Sequence, residues 1–281
     1  MLRRFNRSVE YYGVRGAIVH SYQRFFRSLK NHGFAGTFER AFVKAPAPPQ
    51  PQRPAAPQAP HYFDILHGTD TGGNYSAADF PSASLSALYA TGYLGVPPSA
   101  LRPALAALPI RHEDFTFIDI GCGKGRALFV AAEYPFRQLM GVEIAGELCE
   151  VARSNVQLDP AWKERISIVN QDAAACVYPE GPLMLFFYYP FFTPVLRRVL
   201  ANLERQLRRS PRETYLLHAD FCVPEAGVDA STVRYQKVMK SFAFIREISD
   251  ATYMLSAEDA ALEPVSCTAK RFTFYSARVT R

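Results

Sequence analysis

Residues 115–136 read FTFIDIGCGKGRALFVAAEYPF, an apolar run that empties into three alternate glycines and then a helical pattern. Phe115–Ile120 has the near-continuous apolar character of a strand buried on both faces. Gly121, Gly123 and Gly125 supply a tight turn where backbone can approach a ligand, since a residue without Cβ reaches left-handed angles freely. The nearest dinucleotide signature, G-x-G-x-x-G after a strand, would need a third glycine where this chain has Arg126. The loop alone therefore does not name its ligand, and the downstream strand ends must be weighed with it.

Further strand-like runs lie at 138–144 (QLMGVEI), 166–172 (ISIVNQD), 182–189 (PLMLFFYY) and 214–221 (TYLLHADF). Helical patterns separate them at 125–134, 147–157 and 193–209, the last with Val195, Leu196, Val199, Leu200, Leu203 and Leu207 on one stripe. Strands alternating with helices predict a Rossmann-like, doubly wound α/β fold with a mostly parallel sheet. The tail differs: FAFIREI (242–248) and RFTFYSARV (271–279) read as a closing pair of strands, the last antiparallel. In such sheets ligands bind beyond the carboxyl ends of the strands, where strand order reverses, which puts 121–125 at the site. Glu143 ends the second strand, 18 residues after Gly125, placed to accept from vicinal ribose hydroxyls. Asp172 follows the third, placed to accept from an adenine amino group.

Asp119-Ile-Gly121-Cys122-Gly123-Lys124-Gly125, then Glu143, then Asp172, resembles motifs one to three of the class I S-adenosylmethionine-dependent methyltransferases. The resemblance is strong over 110–220 and loose elsewhere, and extends to bacterial methyltransferase-domain proteins of unknown substrate. It implies a seven-stranded sheet with an antiparallel last strand, S-adenosyl-L-methionine as cofactor, and methyl transfer by in-line displacement. It implies that Gly121 and Gly123 approach the methionine portion, which Asp119 helps to fix, and that Cys122 and Gly125 also belong to the cofactor-binding loop. Glu143 would bind the ribose, and Asp172, Gln171 and Ala173 would flank the adenine. Because this cofactor carries no phosphate, Arg126 in the third glycine position agrees with it better than with a nicotinamide-dependent oxidoreductase. A non-catalytic adaptor that keeps the fold is the other alternative. Lys124 and Arg126 read as solvated first-turn residues.

The acceptor side should lie just after the fourth strand, at LFFYYPFFTP (185–194). Members that methylate amino groups carry Asn or Asp, then Pro-Pro-Tyr/Phe, at this point. Here the positions are Tyr189-Pro190-Phe191-Phe192, so amino-group specificity does not carry over. Tyr188, Pro190 and Phe191 are candidate acceptor-binding residues and Tyr189 a candidate catalytic one, with plain core packing an equal reading of Tyr188. Upstream, HYFDILHGTDTGGNY (61–75) resembles segments that close over the cofactor in relatives, which makes Thr71 and Gly72 candidate cofactor contacts and Asp70 a candidate catalytic residue. An Asx-type turn accounts for the same residues. A general base is required only if the acceptor must lose a proton, and Asp70, His67 and His218 are the candidates. His67 fits no metal-ligand spacing, and no metal is expected.

The 281-residue chain is +6 at neutral pH, but the charge is local. Residues 1–44 carry nine Lys/Arg against two Glu, whereas 61–281 hold 22 basic and 24 acidic residues. The first segment has Ile18, Tyr22, Phe25 and Leu29 on one helical stripe and reads as a basic amphipathic arm. Four roles suit it: packing on the body, lying on an anionic membrane surface, holding a nucleic acid or acidic protein, or targeting to an organelle. Residues 45–60 (APAPPQPQRPAAPQAP) are too Pro-rich to bury a core and read as an extended tether. The remainder, 61–281, reads as the methyltransferase domain, with a covering segment at 61–109 and the core at 110–281. There is no apolar run of transmembrane length, and the five cysteines are widely spaced with no C-x-x-C pair, so a cytoplasmic protein is expected, peripheral to a membrane only through its arm. A chain lacking residues 1–60 should bind cofactor as tightly as the full chain by calorimetry, and loss of affinity on truncation would contradict this division.

Overall fold

The computed structural model describes residues 60–75, 86–220, 230–263 and 267–279, so the arm and tether lie outside the described residues. Pro60–Arg281 forms one compact unit. Its seven-stranded sheet comprises β1 (Thr116–Ile120), β2 (Gln138–Glu143), β3 (Ile166–Asn170), β4 (Leu183–Phe187), β5 (Thr214–Ala219), β6 (Ile245–Met254) and β7 (Ala269–Ala277). The order is β3-β2-β1-β4-β5-β7-β6. Neighbours from β3 to β5 are parallel, and β7 runs antiparallel to both β5 and β6. This is the Rossmann-like architecture that the alternation predicts, with strand order reversing between β1 and β4, directly beyond which the glycine loop lies.

All five β1 residues are buried, as a central strand covered on both faces requires. Phe117 packs on one side with Phe136, Phe186 and Leu128, while Ile118 and Ile120 pack on the other with Leu196, Val199 and Leu200. The second cluster is built largely from α6 (Thr193–Arg209), whose buried residues include the whole stripe read from the sequence. The remaining helices are α1 (Tyr62–His67), α2 (Pro98–Ala106), α3 (Arg126–Ala132), α4 (Gly146–Val156), α5 (Pro160–Arg165), α7 (Ala230–Lys240) and α8 (Ala257–Leu262). The sequence pattern does not announce α2, because Pro98 and Pro103 punctuate it. Pro98 occupies the first turn, where its missing N–H is no loss, and Ala100, Leu101, Ala104 and Leu105 are buried.

The segment before α2 is tied to the body by polar contacts. His61 Nε2 lies 3.1 Å from Asp259 Oδ1 on α8, and Phe63 is fully buried. Tyr75 and Tyr93 face each other in a two-residue antiparallel ribbon, Asn74–Tyr75 with Tyr93–Leu94. Near α8, Lys270 of β7 is fully buried and its Nζ donates to Glu263 Oε2 at 2.7 Å. Removing one member of such a pair strands the other charge. Glu263→Ala should destabilise the protein by about 3–5 kcal/mol in denaturant titrations, whereas Glu263→Leu with Lys270→Met should recover most of that loss. Equal destabilisation by the single and double variants would refute this account.

Candidate active site

Beyond the carboxyl ends of β1, β2 and β4 lies a cavity bordered by Asp119, Gly121, Cys122, Glu143, Asp172, Tyr188, Tyr189, Pro190 and Phe191, all expected from the sequence. Four amides of the glycine loop beneath it are bonded within the protein. Gly121 N and Cys122 N both donate to the Val142 carbonyl, at 2.8 and 3.2 Å. Gly123 N donates to Glu143 Oε2 at 2.9 Å, and Gly125 N to the Cys122 carbonyl at 2.9 Å. A pyrophosphate needs such N–H groups pointing at it. Here four of them turn inward, which argues against a dinucleotide.

The side chains show a different preference. Asp119 is 4 % exposed and lines the cavity. Burial first, and the Glu143 charge second, push its carboxyl up to about 8, with no hydrogen bond among the described residues to offset them. Glu143 is better satisfied: its Oε1 accepts from Ile144 N at 2.8 Å and Ala145 N at 2.9 Å, and its Oε2 from the glycine loop. Burial still raises its pKa, with those three donors acting in the opposite direction. The cavity wall holds these two buried carboxylates and the buried Arg126, which is bonded to Thr71; Asp119, with no hydrogen bond among the described residues, favours a cationic group beside it.

Above the cavity runs the segment 86–96. Tyr93 closes down on the loop, where a Cβ on Gly123 (φ +52) would lie 2.2 Å from its ring, so only glycine permits the contact. The Tyr93 hydroxyl donates to the Thr71 carbonyl at 2.6 Å. Ala90 forms an antiparallel bridge with Phe191, and Thr91 donates from N to the Pro190 carbonyl (3.3 Å) and from Oγ1 to the Tyr189 carbonyl (2.7 Å). At the other end, Ser86 Oγ donates to Asp172 Oδ2 at 2.7 Å and accepts from Arg198 Nη1 at 2.8 Å. Ser86, Tyr93 and the rest of this roof escape a reading of the sequence because no motif marks them.

Several expected residues have other tasks. Lys124 and Arg126, read as solvated, are 4 % and 5 % exposed, because residues 69–75 fold over them. Arg126 donates from Nε to Thr71 Oγ1 (2.9 Å) and from Nη2 to the Thr71 carbonyl (2.7 Å), and lies 4.0 Å from buried Asp64. Lys124 Nζ donates to Asp70 Oδ1 at 2.7 Å and to the Gly72 carbonyl at 3.0 Å. Thr71, Gly72, Asp70, Gly123 and Gly125 therefore support the loop and do not line the cavity. Neither do the other base candidates. His67 packs on Phe63 and Trp162. His218 is buried against Tyr235, and burial, with the Arg271 charge, takes its pKa down to about 3. Tyr189 has φ +46, the only non-glycine positive φ among the described residues, which costs an L side chain about 1–3 kcal/mol. Its ring leans on Tyr235, 5.2 Å between centroids.

Comparison with known proteins agrees with this geometry. The methyltransferase domain family matches residues 117–210, from β1 through α6. A tRNA1(Val) (adenine(37)-N6)-methyltransferase of Yersinia pseudotuberculosis serotype O:3 (strain YPIII) is 31% identical over 129 residues, covering 44% of this chain and 50% of that protein. Its counterpart from Yersinia pestis (strain Pestoides F) is 34% identical over 95 residues, covering 32% of this chain and 38% of that protein. The chain thus spans half or less of these curated relatives. Among solved structures, a SAM-dependent methyltransferase from Aquifex aeolicus aligns with TM-score 0.46 and 13% identity, covering 63% of this chain and 89% of that one.

The raised pKa of Asp119 has a sign that can be tested. The folded state holds a proton that the unfolded state releases near the ordinary Asp value, so this group costs stability progressively as pH rises from about 4 to 8. Asp119→Asn removes that cost. Without ligand, the variant should melt at least about 2 °C above wild type at pH 8.5, with the gap closing toward pH 4. A variant that melts lower at both pH values would show that Asp119 is satisfied in the folded protein.

Proposed function

We propose that this protein is an S-adenosylmethionine-dependent methyltransferase acting on an acceptor presented at Tyr188–Phe191. The observation that carries the reading is the Asp119 carboxylate: buried, in the cavity wall, and without a hydrogen-bond donor among the described residues. A cationic amino acid portion supplies what that carboxylate lacks, and the inward-turned amides of the loop suit a ligand without phosphate.

Bound S-adenosylmethionine supplies a methyl group activated by its sulfonium for in-line displacement. The chain's own contribution is to hold and enclose. Asp119 pairs with the cationic end of the cofactor, Cys122 and Gly121 border it, and Glu143 fixes the loop while one face of its carboxylate meets the cavity. Phe186, Tyr93, Tyr188 and Phe191 give apolar walls that exclude water and narrow the acceptor's approach. Asp70, His67 and His218 stand off the cavity, so the reaction rests on orientation, a term that reaches effective molarities of about 10⁵–10⁸ M in favourable cases. The nicotinamide reading loses support, because the amides of Gly121, Cys122, Gly123 and Gly125 are bonded within the protein and not held out to a pyrophosphate.

A nucleic-acid base is a second reading of the acceptor, favoured by the activity of the Yersinia relatives. Tyr189 in place of an Asn, and the engagement of the Tyr189 and Pro190 carbonyls by Thr91, argue against the amino-group mode of recognition there. Exposing lysate fractions to labelled S-adenosylmethionine identifies the acceptor class by which fraction takes up label.

Cofactor binding tests the central reading. Because the ligand's cation favours ionised Asp119, binding expels a proton below about pH 8. Titration calorimetry should show S-adenosylmethionine binding wild type more tightly at pH 7.5 than at pH 6, approaching tenfold per unit. Asp119→Asn should bind at least about tenfold more weakly at pH 7.5 and lose the pH dependence. A wild type with no measurable affinity sinks the proposal.

A further inference from the structure

Asp172 stands where the family resemblance calls for an adenine-binding carboxylate, and each of its oxygens already accepts a hydrogen bond from the protein. Oδ1 accepts from Ala174 N at 2.9 Å, capping the short turn Ala173–Ala175. Oδ2 accepts from Ser86 Oγ at 2.7 Å and lies 3.6 Å from Arg198 Nη2. Arg198 also donates from Nη1 to Ser86 Oγ at 2.8 Å, so the three side chains close a triangle. Its members come from three places: the roof, the end of β3, and α6. Ser86 is 5 % exposed and begins the 3₁₀ turn Ser86–Tyr89, from which the chain continues into Ala90, Thr91 and Tyr93 above the cavity. The triangle therefore ties the start of the roof to the end of β3 and to α6, beside the backbone bond from Phe192 N to the Tyr89 carbonyl at 2.8 Å.

We propose that Asp172, Ser86 and Arg198 form a latch that holds residues 86–96 over the bound cofactor, and that Asp172 sets cofactor residence through this latch instead of reading the adenine amino group. The inference rests on the cofactor reading above. Ser86 and Arg198 are positioning residues in it: each acts by keeping the Asp172 carboxylate on the roof. A charge-assisted hydrogen bond on a mostly buried serine is strong enough to govern release, whereas the half-exposed Arg198 adds less.

The test uses the full chain, tritiated S-adenosylhomocysteine released into unlabelled chase, and equilibrium affinities for S-adenosylhomocysteine and its N6-methyladenine analogue. Ser86→Ala and Asp172→Asn should each speed release by about tenfold, and the double variant should release no faster than either single one. Asn keeps an acceptor for Ala174 N, so Asp172→Asn preserves the turn. Arg198→Met should speed release about two- to threefold, and Ser86→Thr, which keeps the hydroxyl, should stay near wild type. The affinity ratio between the two adenine forms should be the same in Asp172→Asn as in wild type, a readout that general loosening of the fold would not hold constant. Unchanged release in Ser86→Ala, or an affinity ratio that collapses in Asp172→Asn, overturns the latch while leaving the cofactor reading intact. A wild type that binds neither ligand overturns both.

Discussion

A carboxylate near the end of a central parallel strand, with no donor to meet it among the described residues, is the constraint around which this fold is arranged. Taking a carboxylate out of water costs several kcal/mol unless hydrogen bonds or a countercharge replace the lost solvation. Asp119 has neither among the described residues, and the nearby Glu143 makes its position worse. The protein retains the cost at one place and removes it elsewhere: Glu143, equally buried, receives three backbone N–H donors. Even the neighbouring strand accommodates the arrangement. Gly141 pairs with Asp119 on β2, and a Cβ there would lie 2.6 Å from Cys122 Sγ. Two carboxylates in one cavity thus differ in kind, one bonded to the loop and one left without a donor among the described residues.

The glycine loop owes its shape to the protein packed on it. Gly123 admits the Tyr93 ring, and a Cβ on Gly121 (φ +81) would lie 2.4 Å from Pro190 Cβ. Lys124 and Arg126, the two cations of the loop and first turn, gather Thr71, Gly72 and Gly95, and Arg126 also borders the cavity. Residues 69–75 and 86–96 are consequently part of the site's architecture, although few of the former touch the cavity. On the acceptor side the same economy operates. The Tyr189 and Pro190 carbonyls bond to Thr91, and the strained Tyr189 backbone directs its ring into the core beside Tyr235.

Much of this is legible in the sequence. β1 is readable because a strand buried on both faces must be apolar along its whole length, and α6 because a helix on a sheet must present one stripe. Thr193–Arg209 is bounded correctly for that reason, with a proline in its first turn as a start signal. Asp119, Glu143 and Asp172 are readable as cavity residues because each sits at a strand end on the same edge of one sheet. α2 is hidden by its prolines, and α5 by having only six residues.

By itself, then, the sequence determined the alternating architecture, the position of the cavity and the carboxylates that line it, since periodicity and strand-end placement are local properties. Only the tertiary structure decided what the polar side chains do there. Arg126 meets Thr71 across 55 residues of chain, Ser86 meets Asp172 across 86, and Arg198 meets Ser86 across 112. No local pattern encodes such pairings. A long cation at the start of a helix looks solvated until another segment folds over it, and a carboxylate in a ligand-binding position looks free until a distant serine is found bonded to it.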